Sequence, residues 1–181
     1  MQIFLSVILV LSLTGVGCAS STKSLSSQPQ RNTASNPAAP SINSNLNTMC
    51  RGWSGNDPHT QEICDARDTM LRHLEATADL AGFICNDSSI ENQFRQYTCA
   101  SQRELGIDFT LAQAGLELSC SDRSASEGSR QKVCLVNQYL KSKIKLLYNS
   151  LNTMCRGWSG NDPHTDEVCK ARDQLTSIAT H

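Results

Sequence analysis

Residues Leu46 to Thr60 read LNTMCRGWSGNDPHT, and Leu151 to Thr165 repeat those letters without a change, 105 positions further on. Beyond the identical block the skeleton persists, because Glu62, Cys64, Ala66, Arg67 and Asp68 are matched by Glu167, Cys169, Ala171, Arg172 and Asp173. The cysteines supply the period. From Cys50 they continue at Cys64, Cys85, Cys99, Cys120, Cys134, Cys155 and Cys169 in alternating steps of 14 and 21, so the unit is 35 residues and three units separate the identical copies. A repeat of this length signals one supersecondary unit that buries its apolar face only against neighbours.

Around Cys64 to Cys85, Ile63, Ala66, Met70, Leu74, Ala81 and Ile84 recur at mostly helical spacing, with Arg67, Asp68, Arg72 and Glu75 between them. This is the pattern of an amphipathic helix. Shifting the window along the chain keeps an apolar column: Leu105 and Phe109, then Val133, Val136, Leu140, Ile144, Leu147 and Leu151, then Val168, Ala171 and Leu175. Asp57-Pro58 and Asp162-Pro163 place a capping residue before a proline at the first helical position, where its missing N–H costs nothing. The pattern predicts helices over 41–50, 58–85, 93–120, 128–155 and 163–179, with connectors rich in Gly, Ser, Asn and Asp.

Long helices joined by short turns run up and down. The expected fold is therefore all-α, an up-and-down bundle or array of 35-residue repeats stapled by sequential disulfides. A helix of about 28 residues is roughly 42 Å long, which sets Cys64 and Cys85 about 31 Å apart and forbids a bond between them. Proximity leaves Cys50 to Cys64, Cys85 to Cys99, Cys120 to Cys134 and Cys155 to Cys169. Each bridge closes a loop of about 15 residues, worth roughly 3 kcal/mol in the chain-entropy model. An odd offset of three helices is expected to send the two identical loops to opposite ends of the bundle.

Residues 1–17 carry no charged side chain and are dominated by Leu, Ile, Val and Phe, which reads as a signal peptide. Val16-Gly17-Cys18 resembles the bacterial lipobox, and that resemblance implies a lipid-acylated Cys18 at the mature N-terminus. Residues 18–41 then form the lipidated cysteine and a disordered Ser, Asn, Gln, Pro and Ala linker, and 42–181 the helical domain. Nine cysteines less one for the lipid leave eight, an even number that suits disulfides in an exported chain. The expected location is the cell envelope, at the outer membrane facing the periplasm, with secretion as the alternative. A formal charge of −1 with mixed signs carries no nucleic-acid footprint, so membrane association is assigned to the lipid alone.

The identical loops hold the only two tryptophans, Trp53 and Trp158, beside Arg51, Asp57 and His59 and their copies Arg156, Asp162 and His164. Exposed aromatics next to arginine are the composition of a protein-binding hot spot. The competing reading is that the indoles cover the bridges and close the core while Gly52 and Gly55 make the turn. Gly52-Trp53-Ser54-Gly55-Asn56 approaches a nucleophile-elbow motif, but Asn56 replaces its last glycine and no strand precedes it, so no catalytic residue is assigned. The chain has no C-x-x-C, H-E-x-x-H or EF-hand loop, so no metal or cofactor is expected, and its four histidines are expected to face solvent.

Thr60-Gln61-Glu62-Ile63-Cys64, continuing to Leu71 and Leu74, resembles the cysteine-pair helical domain of bacterial lysozyme inhibitors of the LprI type. The unit from Val133-Cys134 through Leu140, Ile144 and Tyr148 has a comparable spacing. The resemblance implies a non-enzymatic envelope protein that binds another protein, a lysozyme or related wall hydrolase. The alternative is a structural spacer of the periplasm with no dedicated ligand.

Overall fold

The computed structural model describes residues 40–180; the expected signal peptide, the expected lipid site at Cys18 and most of the expected linker lie outside the described residues. Six helices follow one another there: α1 (Ile42–Gly52), α2 (Thr60–Asn86), α3 (Asn92–Glu104), α4 (Phe109–Ser121), α5 (Glu127–Gly157) and α6 (Thr165–Ala179). The described residues contain no strand. All four disulfides join the expected pairs, with Cα separations of 4.9, 5.4, 4.7 and 5.0 Å in chain order. Each bridge ties the end of one helix to one of the first eight residues of the next and so fixes a helical hairpin.

One expected helix is two. Instead of running unbroken over 93–120, the chain leaves the helix after Glu104 and re-enters it at Phe109. Asp108 makes the break: its backbone is extended, and its side-chain Oδ1 accepts from the Thr110 and Leu111 amides, the geometry of an N-cap. The same register in the neighbouring units, Met70–His73 and Leu140–Lys143, is uninterrupted helix. Those units have neither a glycine nor an aspartate there, whereas this one has Gly106 and Asp108.

The break adds a reversal, and α3 and α4 fold back on each other. The bundle therefore has two stacked parts that share its long helices, α2 (27 residues, about 40 Å) and α5 (31 residues, about 46 Å). At one end α1 and α6 complete four helices with the first part of α2 and the last part of α5; at the other, α3 and α4 complete them. The two parts meet where the start of α1 abuts the α3–α4 turn. Asn43 donates to the Leu105 and Gly106 carbonyls at 3.2 Å each and accepts from the Phe109 amide at 3.3 Å, while the Ser41 hydroxyl donates to Ile107 O at 3.0 Å. An open array, in which each unit touches only its neighbours, is not what forms, because α1 packs on α6 and α2 on α5.

The apolar columns are the core. Ile63, Phe109, Leu116, Val133, Leu140, Ile144, Leu151, Val168 and Leu175 are fully buried. The helices after the two identical loops open at Thr60 and Thr165, two residues later than expected. The N-cap positions therefore fall on His59 and His164, which make no side-chain cap bond. The aspartates expected as caps instead close the tight turn before each helix, Asp57 Oδ1 accepting from the His59 amide and Asp162 Oδ1 from the His164 amide, both at 2.8 Å.

Candidate functional site

The added reversal overturns the expectation that the identical loops lie at opposite ends: they meet. Trp53 and Trp158 are edge to face, with ring centroids 5.9 Å apart and planes at 66°. Each indole also stacks on the histidine of the other copy, Trp53 on His164 at 4.0 Å and Trp158 on His59 at 3.9 Å. Each indole N–H donates across the same boundary, Trp53 Nε1 to Glu167 at 2.9 Å and Trp158 Nε1 to Glu62 at 3.2 Å. Contacts of i with j′ matched by j with i′ are the mark of a self-complementary, two-fold interface.

The aspartates lock the rings from both sides. Asp57 uses Oδ1 for its own loop and sets Oδ2 3.3 Å from His164 Nε2; Asp162 likewise sets Oδ2 3.4 Å from His59 Nε2. Far from facing solvent, His59 and His164 are about four-fifths buried, with side-chain exposures of 22% and 21%. The copies differ in detail. His59 Nδ1 reaches Glu62 at 3.3 Å, but His164 Nδ1 lies 3.8 Å from Glu167, beyond hydrogen-bond range and without another partner among the described residues. Trp53 is buried, whereas Trp158 remains partly accessible.

This arrangement decides what each candidate residue can offer. Trp53, with only 9% of its surface accessible, cannot present its ring to a partner while the clasp is closed. Arg51 and Arg156 are exposed on the rim, as are Ser54, Gly55 and Asn56 with their copies. Ser54 Oγ accepts from the Asn56 amide, and both nitrogens of His59 face carboxylates, so Ser54, Asp57 and His59 do not assemble as a relay. Glu62 and Glu167, the acceptors of the indole N–H groups, stand in the matched skeleton of the sequence without any role suggested by it.

A second surface follows from the α3–α4 hairpin. These helices approach closely through small residues: a Cβ on Gly115 would lie 2.5 Å from Ser101 Oγ. Their low contact line leaves a groove of about 540 Å³, with Ala100, Ser101 and Gly115 along it and Tyr97, Leu111 and Leu118 at its edges. Those three side chains are 47%, 43% and 75% exposed. Apolar periodicity over 93–120 does not show this hairpin; Gly106 with Asp108 is the sequence signal for it. A third concavity, about 450 Å³ between α2 and α5, includes Met70, Leu147 and Met154 beside His73 and Lys143. Burial, then the neighbouring Lys143 and Arg72, push the His73 imidazole below its ordinary pKa.

Inside the α3–α4 end a polar network crosses the core. Buried Gln113 and Asn137 hydrogen-bond to each other, and both donate to Glu117, Asn137 at 2.8 Å. The Asn137 bond, reinforced by Lys141, holds the Glu117 carboxyl below its usual range. Such a network fixes which faces of α4 and α5 meet. No protein-family model, curated protein or solved structure matches this chain.

Proposed function

We propose that this is a non-enzymatic, exported envelope protein, lipid-anchored through Cys18, whose helical domain binds another protein. The partner class named by the sequence resemblance is a lysozyme or related wall hydrolase. The observation that favours binding over a bare spacer is the groove between α3 and α4, edged by three large, exposed apolar side chains. A spacer needs no such surface, whereas grouped apolar side chains on a small domain mark interaction sites. The Trp loops enter this reading as the fastening that holds one end of the bundle closed. Four staples and a clasp preorganise the groove, which reduces the ordering cost of association.

The test uses the exported chain with Cys18→Ser, purified oxidised, and a purified lysozyme-type muramidase acting on a wall suspension. Added protein is expected to slow clearance of the suspension. Leu118→Glu, which puts a charge on the most exposed edge of the groove, is expected to weaken that inhibition more than about tenfold, the scale of a hot-spot residue, without changing thermal stability. Inhibition insensitive to Leu118→Glu would remove the groove from the proposal. No binding to any muramidase by the unaltered protein would leave the spacer reading.

A further inference from the structure

The α3–α4 turn divides the described chain into two halves, α1–α3 and α4–α6, and every disulfide lies within one of them. Cys50–Cys64 and Cys85–Cys99 belong to the first half, Cys120–Cys134 and Cys155–Cys169 to the second. Among the described residues no disulfide spans the division, so fully oxidised halves can part without reduction. What holds them together is noncovalent: packing of α2 on α5, α3 on α4 and α1 on α6, the Trp–His clasp, and at the far end the Lys132–Asp87 ion pair at 2.6 Å and the Ser126 amide donating to Glu91.

The connection keeps one bond of the helical i→i−4 kind, the Asp108 amide donating to Glu104 O at 2.7 Å. Leu105 keeps right-handed helical dihedrals (φ −53°, ψ −41°), and no residue of the turn, Gly106 included, has a positive φ. Asp108 is clearly extended, at φ −149° and ψ 96°. Returning it to helical dihedrals would bring α3 and α4 into one line, the conformation that the neighbouring units adopt at this register. Against this stand the Asp108 cap and the bonds from Asn43 and Ser41 to the turn.

We infer that Leu105–Asp108 is an exchange hinge and that a second copy of this chain is the partner it serves. With the hinge straightened, the start of α1 must leave the Leu105, Gly106 and Ile107 carbonyls, which a continuous helix uses for its own bonds; α1–α3 of one copy then packs on α4–α6 of the other, and the contacts between halves re-form between chains. The exchanged dimer contains two Trp–His clasps and two α3–α4 grooves. Such exchange is the low-cost route to a dimer when the interface already exists within the monomer.

The oxidised full chain with Cys18→Ser is unfolded in denaturant as an equal mixture of ¹⁵N-labelled and unlabelled protein, without reductant. It is then refolded at high concentration and separated by size. Zero-length carbodiimide coupling joins Lys132 to Asp87, a pair that spans the two halves, and the cross-linked peptides are weighed. A dimer fraction in which about half of the Asp87–Lys132 peptides combine a labelled with an unlabelled arm supports exchange, since random pairing of two equal pools gives that share. Same-isotope peptides alone in the dimer fraction would overturn it, as would absence of a dimer from the two hinge variants that follow. Gly106→Ala with Asp108→Ala removes the cap and favours helix, and is expected to raise the dimer fraction at least tenfold. Asn43→Ala loosens the turn while leaving its helix propensity untouched, so it decides the matter if the first variant fails to fold.

Discussion

Replacing Trp53 by alanine tests whether the clasp carries stability. The ring is 9% accessible, belongs to the core, and makes three cross-copy contacts: a stack on His164, an edge contact with Trp158 and a hydrogen bond to Glu167. Truncating a buried tryptophan costs about 3 to 5 kcal/mol. Of this, each aromatic contact accounts for about 0.5 to 1.5 kcal/mol and the indole bond for about 1, the latter at the low end because the Glu167 side chain is 50% exposed. Trp158 has the same sequence neighbours but keeps part of its surface in water, so Trp158→Ala is expected to cost about 2 kcal/mol. Unfolding of the oxidised chain by guanidinium, at fixed denaturant slope, reads both values. A cycle pairing Trp53→Ala with His164→Ala should return a coupling of about 0.5 to 1.5 kcal/mol, and one pairing it with His59→Ala a smaller one. Equal losses below about 1 kcal/mol at both tryptophans, or stronger coupling within a loop than between loops, would refute the clasp.

The far end of the bundle should be sensitive to acid. Bonds from Ser129 and Ser126 hold Glu91 down to about 2 from an ordinary 4.5, and Lys132 with Ser89 holds Asp87 below its own ordinary value. Both folded pKa values are depressed, so their stabilisation is complete above the unfolded values and is lost as pH falls from about 4.5 towards about 2; Glu91→Gln with Asp87→Asn should flatten acid unfolding across that window. At the hairpin, a Cβ at Gly115 would meet the Ser101 hydroxyl at 2.5 Å but Ser101 Cβ at an ordinary 3.7 Å, so rotation of the hydroxyl relieves the clash. Gly115→Ala is therefore expected to raise the melting temperature through its gain of about 1 kcal/mol in helix propensity, as read by calorimetry.

Much of the fold was legible before any coordinates. Cysteine spacing is a local constraint: a 21-residue helical stretch cannot bring Cys64 to Cys85, so the pairing followed from helix length. Apolar periodicity likewise reports which face of a helix avoids water, and Ile63, Leu140, Leu151 and Val168 lie where that pattern puts them. Periodicity is silent on which faces meet, because that depends on how many times the chain reverses. One capping aspartate, Asp108, changes that count by one and carries the two identical loops from opposite ends to a single contact. The identity of residues 46–60 and 151–165 was a property of the sequence alone; that one copy stacks its tryptophan on the histidine of the other was decided only by tertiary structure, since no local rule reaches across 105 residues.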